Sequence, residues 1–288
     1  MKIIFFGTPD FAVESLKALL EVGEEIAAVV VQPDRAKGRG LKIGYPPVKE
    51  YALAKKLTIL QPTDIRDIKF LDAMKELKPE LGVVVAYGKI LPEALLNIPK
   101  HGFVNVHASL LPKYRGASPI QYALLNGENK TGVTILRVTP QLDAGNMISQ
   151  AETAIAPDDN ADTLSKKLAE QGAKLLVKSV EMLKSKKLSS IPQDEKQVTY
   201  APQLKKEQGL IDWKKSPVEV DNLVRAMTPW PGAFVRVNPS TSSGQGGHRV
   251  KIIKTKIEDG KLIILEVQPE GKKTMGYEEY VRGYGEII

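Results

Sequence analysis

KIIFFGTPDFAVESLKALLEVGEEIAAVVV, residues 2–31, decides the fold. Lys2 to Phe6 is a short apolar run that Gly7, Thr8 and Pro9 interrupt. From about Asp10 to Val22 apolar side chains recur at helical spacing, and Glu25 to Val31 is a second strand-like run. Strand, helix, strand is a βαβ unit, which pairs its strands in parallel. Farther on, Leu81-Gly82-Val83-Val84-Val85-Ala86 is apolar throughout, as a central strand covered on both faces must be. Between them the pattern predicts helices over 48–56 and 68–78 and a short strand at 57–60. The expectation is an α/β, Rossmann-like parallel sheet.

Phe103-Val104-Asn105-Val106-His107 alternates apolar and polar residues, so Asn105 and His107 share one face of a strand. Pro112 and Gly116 then break the chain into a loop, at the strand end where open α/β sheets carry their chemistry. Asp143 lies in the turn-rich Pro140-Gln141-Leu142-Asp143-Ala144-Gly145, after the strand-like stretch 132–138, and can return to the same sheet edge. An amide donor, an imidazole and a carboxylate suit acyl or formyl transfer to an amine. Asn105 and a His107 N–H would donate to the oxyanion, with Asp143 fixing the ring's tautomer. An Asn-x-His pair is also what an ordinary structural histidine looks like, and on spacing alone both readings stand.

Other signals narrow the field. The chain has 288 residues, enough for two domains, with no apolar run near the ~20 residues of a membrane span. Cytoplasmic location is the default expectation. Cysteine is absent, and His101, His107 and His248 have no metal-ligand spacing, so no metal is expected. The net charge of +7 suits a polyanionic partner. Arg35, Lys37, Arg39, Lys42 and Lys49 fall in one stretch without an acid, and the glycines of Lys37-Gly38-Arg39-Gly40 permit close approach to phosphate. A solvated basic loop is the plain alternative. Gly38-Arg39-Gly40 is not at the first strand–helix junction, and Gly7-Thr8-Pro9, which is, lacks a phosphate cradle.

A helix is predicted over 118–126, and 161–187 reads as a long amphipathic helix through Leu164, Leu168, Leu175, Val180 and Leu183. The polar, aperiodic stretch 189–207 reads as a linker between a domain of residues 1–188 and a second of 208–288. There a helix over 217–227 precedes short β runs at 234–237, 249–256 and 262–266. Ser240 to Gly247 is low-complexity.

Asn105-Val106-His107-Ala108-Ser109-Leu110-Leu111-Pro112, with Leu142-Asp143-Ala144-Gly145, resembles the signature of the 10-formyltetrahydrofolate-dependent formyltransferases. Ile4 to Ala12, Gln32-Pro33-Asp34-Arg35 to Gly40, Arg115 to Gln121 and Arg225 to Ala233 resemble the branch that formylates methionine on initiator tRNA. The resemblance implies Asn105, His107 and Asp143 as catalytic residues. It implies a folate site from Tyr87, Gly88, Lys89, Ile90, Leu91, Ser109, Leu110, Leu111, Pro112, Gln141 and Leu142, and a tRNA grip from Arg35, Lys37, Arg39 and Lys42. It also implies a small OB-like barrel in the second domain, shortened here because only one strand follows Glu258-Asp259-Gly260-Lys261. A monomer binding formyl-folate and initiator Met-tRNA is expected. A sugar-nucleotide N-formyltransferase with the same donor, a formyl-folate hydrolase and a silent RNA-binding adaptor are the competing readings.

Overall fold

The computed structural model describes residues 1–37, 42–237 and 248–287. Its chain divides into two compact units, one of Met1–Ala117, Thr131–Thr153 and Ser165–Ala201, the other of the remaining segments.

The first unit opens with the expected βαβ unit, β1 (Lys2–Gly7), α1 (Asp10–Glu21) and β2 (Glu25–Val30). Within the basic stretch, β3 (Arg35–Lys37) and β4 (Lys42–Gly44) pair antiparallel, with Arg35 opposite Gly44 and Lys37 opposite Lys42. Arg39 lies outside the described residues, as does 240–247. Next come α2 (Pro47–Ala54), β5 (Ile59–Leu60), α3 (Ile68–Glu76), β6 (Leu81–Val85), α4 (Glu93–Leu96) and β7 (Phe103–His107). Asp67 starts α3 by accepting from the Lys69 and Phe70 amides, satisfying donors that a helix end leaves open. After α5 (Pro119–Leu125) come β8 (Lys130–Arg137), β9 (Met147–Ala154) and α6 (Ala161–Lys184).

The sheet order is β5-β2-β1-β6-β7-β8-β9. From β5 to β7 every pair is parallel, whereas β8 joins β7 antiparallel. Ile4 and Phe6, Ala28 and Val30, and Phe103 turn one face of the sheet onto Phe70, Met74, Tyr87 and Leu95. The Phe6 ring meets Tyr87 and Phe103 edge-on, with centroids 5.2 and 5.5 Å apart.

In the second unit, α7 (Pro217–Met227) begins with a reciprocal cap between Ser216 and Glu219. Then follow β10 (Ala233–Val237), β11 (His248–Glu258), β12 (Lys261–Pro269), β13 (Met275–Gly276) and α8 (Tyr277–Tyr284). The strands form a four-stranded antiparallel sheet in chain order. Asp259 and Gly260 both have positive φ, 50° and 73°, so a two-residue turn joins β11 directly to β12. That turn is why the β region is short. Val220, Val224 and Met227 of α7 and Tyr280 of α8 cover Val235, Val250, Ile252 and Val267, and Tyr122 and Leu125 of α5 pack against the same core. The units therefore interleave along the chain where the sequence suggests a cut at 188. Helical spacing reveals that α5 has an apolar face but not which core receives it. The stretch 189–201 belongs to the first unit, held by hydrogen bonds rather than an apolar face, so no period marks it.

Burial pushes the Tyr87 hydroxyl up to about 12, and among the described residues it has no hydrogen-bond partner. An unsatisfied buried polar group costs ~1–3 kcal/mol. Tyr87→Phe should accordingly raise folding stability by up to about that amount, read as a higher denaturant midpoint at unchanged slope.

Candidate functional site

Asn105 and His107 project from the same face of β7, the histidine only 5% exposed. Because β8 runs antiparallel, His107 faces Thr134 and Val104 faces Arg137, so the chain leaves β8 at the end remote from His107. It turns back over residues 138–146, which brings Asp143 to the pair. Two backbone features make the return possible. Asp143 itself is left-handed, φ +49°, and a Cβ on Gly145 would fall 1.8 Å from the Arg137 carbonyl oxygen.

The Asp143 carboxylate is the hub. Oδ1 accepts from Asn105 Nδ2 at 3.2 Å, Oδ2 accepts from the Gly116 amide at 3.0 Å, and Oδ2 lies 3.5 Å from His107 Nδ1. His107 Nε2 is 2.9 Å from the Tyr114 carbonyl. A carbonyl only accepts, so Nε2 carries a proton, and Nδ1 attracts the carboxylate only when it is protonated too. Neither ring nitrogen is turned outward, which differs from the sequence expectation of a spare His107 N–H for an oxyanion. Asn105 has two amide hydrogens, of which Asp143 takes one.

The loop after β7 is tied down along its length. Thr134 Oγ1 donates to the Ser109 carbonyl at 2.7 Å and accepts from the Leu111 amide at 3.1 Å, while Ser109 Oγ donates to the Lys113 carbonyl at 2.6 Å. Residues 191–201 form a strap across both halves of the site. Ile191 exchanges backbone hydrogen bonds with Met147, and Thr199 and Ala201 bond the backbone of Tyr114 and Arg115. Arg115 Nε of the loop donates to Gln193 Oε1 of the strap. Sequence reasoning passed over this strap, and its isolated polar side chains carry no periodic signal.

Of the residues expected around a flat heterocycle, Tyr87, Leu91, Ser109 and Leu111 have buried side chains. The Tyr87 ring belongs to the core, and its carbonyl accepts from Gln32 Nε2 at 3.1 Å. The left-handed Ala86 and Gly88 turn the backbone at the C-terminal end of β6. Ile90 and Leu142 are large apolar side chains left 65% and 53% exposed. Lys89 Nζ donates to the Thr63 carbonyl at 2.9 Å.

Arg35, Lys37 and Lys42 sit on the paired arms of β3 and β4. At the base of these arms Lys49 Nζ bonds Asp34 at 2.5 Å and Gln61 at 2.7 Å, and Gln61 Nε2 donates back to Asp34 and to the Gln32 carbonyl. The hydrogen bond from Lys49, followed by that from Gln61, holds the Asp34 carboxyl below the usual carboxylate range. A cleft of about 630 Å³ lined by Lys75, Lys78, Glu80 and Lys100 lies near the N-terminal end of β6 and includes none of these groups. Among the described residues no cluster could hold a metal ion.

The formyl transferase family model matches residues 1–180, and the model of the formyl transferase C-terminal domain matches 203–285. A methionyl-tRNA formyltransferase of Thermodesulfovibrio yellowstonii is 46% identical, covering 98% of this chain and 95% of its own. One of Moorella thermoacetica is 44% identical over 100% of this chain and 99% of its own. Among solved structures, an N-formyltransferase from Helicobacter canadensis, complexed with folinic acid and dTDP-3-aminofucose, superposes with a TM-score of 0.67 at 20% identity. It covers 96% of this chain and 98% of that one.

The two turn glycines should respond differently to a methyl group. Gly145→Ala drives a Cβ into the Arg137 carbonyl and should cost ~1–3 kcal/mol or more. Gly88 has φ +82° but nothing within 4 Å of its absent Cβ, so Gly88→Ala should cost only the left-handed penalty, about 1–2 kcal/mol. Denaturation midpoints of the two variants check the order.

Proposed function

The chain belongs to the formyl transferase family, and from that membership we propose that it transfers the formyl group of 10-formyltetrahydrofolate to the α-amino group of methionine on initiator tRNA. It is an enzyme of translation initiation, a methionyl-tRNA formyltransferase, like its full-length relatives at 44–46% identity. The observation that carries the mechanism is the joining of Asn105, His107 and Asp143 through one carboxylate. At 20% identity, the likeness to a sugar-modifying enzyme speaks for the fold alone.

The folate supplies an activated formyl group. Its fit rests on the outward backbone at Ala86 to Gly88 and on Ile90 and Leu142, whose apolar side chains are exposed in the two loops that would hold a flat ring. Lys89, Leu110, Pro112 and Gln141 complete those segments, which the buried Tyr87, Leu91, Ser109 and Leu111 hold in place.

The methionine amine is the nucleophile, and negative charge develops on the transferred oxygen. Asn105 donates its second amide hydrogen there. His107, held by the Tyr114 carbonyl at Nε2 and facing Asp143 at Nδ1, supports that charge electrostatically when its ring is protonated, without a direct hydrogen bond. Asp143 keeps the ring oriented and, as a carboxylate, takes the proton that the attacking amine loses and passes it to the departing folate nitrogen.

Arg35, Lys37, Arg39 and Lys42 grip the acceptor end of the tRNA, and residues 208–288 of the second unit add a sequence-tolerant grip. The proposal is of a monomer that acts in the cytoplasm, where charged tRNA is made. No helix among the described residues is long and apolar enough to cross a membrane.

Asn105→Ala, His107→Ala and Asp143→Asn should each slow formylation ~10²–10⁴-fold, and paired changes should cost far less than the product of the single effects. Near-wild-type kcat in His107→Ala at saturating donor would sink the mechanism. Lys37→Ala should flatten the salt dependence of tRNA affinity by up to about one unit of log–log slope. Arg39→Ala should also shrink the preference for initiator over elongator Met-tRNA. Unchanged rate and discrimination in Arg39→Ala would reduce the arms to a solvated face.

A further inference from the structure

We propose that Gln193 is a positioning residue for Asp143, through which the strap 191–201 sets the reactive geometry of the site. This inference rests on the reading of Asp143 as part of the formyl-transfer machinery.

Gln193 Nε2 donates to the carbonyls of Asp143 and Gly145, at 2.7 and 2.8 Å. Its two amide hydrogens are thus spent on the carbonyl of the left-handed residue and that of the glycine packed against Arg137. Its Oε1 accepts from Arg115 Nε at 2.9 Å. The Arg115 guanidinium, only 4% exposed, is held from its other side by Glu195, with NH2 2.8 Å from Oε1. Charge therefore polarises the chain of donors that ends on the Asp143 turn.

The same arginine directly precedes Gly116, whose amide donates to Asp143 Oδ2 at 3.0 Å. Arg115 backbone is itself paired with the strap, its amide donating to the Thr199 carbonyl at 2.9 Å and its carbonyl accepting from Ala201 at 2.8 Å. The strap thus grips the carboxylate's backbone through Gln193 and one of its hydrogen-bond donors through Arg115. A left-handed aspartate is intrinsically unfavourable and persists only when its surroundings over-determine it. Gln193 provides that constraint for a group whose displacement by about 1 Å costs catalysis on the order of 10²-fold.

Gln193→Met keeps the size and removes the hydrogen bonds, and Gln193→Asn keeps the amide but shortens its reach. Formylation of Met-tRNA, donor binding by calorimetry and thermal melting would be measured for both, alone and combined with Asp143→Asn. The expected result is a ~10–100-fold lower kcat with donor affinity within about twofold of wild type, and little further loss when either change is added to Asp143→Asn. If Asp143→Asn is impaired while both Gln193 variants keep wild-type kcat, the positioning role is overturned. Losses that multiply with Asp143→Asn would likewise overturn it, since they would mean a general structural effect. Wild-type activity in Asp143→Asn would instead bring down the reading of the site on which this inference rests.

Discussion

The carboxylate of Asp143 joins the functional groups of three pieces of chain. Asn105 and His107 come from a central strand, Gly116 from the loop that follows it, and Asp143 from a turn beyond the next strand. Such a carboxylate is costly to bury unless its lone pairs are used, and here donors from two directions and an imidazole answer it. The hub consequently fixes more than itself. With Oδ2 committed to the Gly116 amide, the loop 109–116 cannot drift, and Tyr114 stays where its carbonyl receives His107 Nε2. The donor set and the ring orientation are two consequences of one charge.

The antiparallel entry of β8 is the topological condition for this. A parallel strand would have ended beside His107 and sent its following turn away over the sheet edge. Running the other way, β8 ends level with Val104, and the chain must double back across the face from which the polar side chains project. The price is a left-handed aspartate and a glycine with no room for a side chain. Both are local violations of backbone preference, and both lie at the proposed site, where such strain tends to be kept.

Residue pattern made the sheet legible because burial on both faces leaves its mark in the apolar runs of β1, β2 and β6. Asn105 and His107 were legible as a pair because strand alternation places them on one face. The family motif supplied what spacing could not, namely that Asp143 joins them. Two things were not legible. The direction of β8 is decided by how the chain returns, and the strap 191–201 is held by Gln193, Arg115 and Thr199 one hydrogen bond at a time. Isolated polar contacts have no period, and without one a structural segment reads as a linker. The same reason hides β9, whose sequence mixes polar and apolar residues on a half-exposed strand.

A second polar network links the basic arms to the loop after β6. Asp34, at the start of the arms, is held by Lys49 and Gln61. Gln61 also reaches the Gln32 carbonyl, and Gln32 Nε2 donates to the Tyr87 carbonyl at 3.1 Å. The arms proposed for the acceptor and the backbone proposed for the donor therefore share anchors. Because Asp34's pKa is lowered in the folded protein, its contribution is complete above the ordinary carboxylate range and is lost as pH falls through the depressed value. At neutral pH the anchor is intact, and its failure belongs to acid. Lys49→Met leaves Asp34 with the Gln61 amide alone and Gln61 Oε1 without its Lys49 donor, so it should loosen both ends at once: hydrogen exchange would quicken at the β3–β4 arms and around Gly88 together. Faster exchange confined to the arms would mean that the two loops are anchored separately.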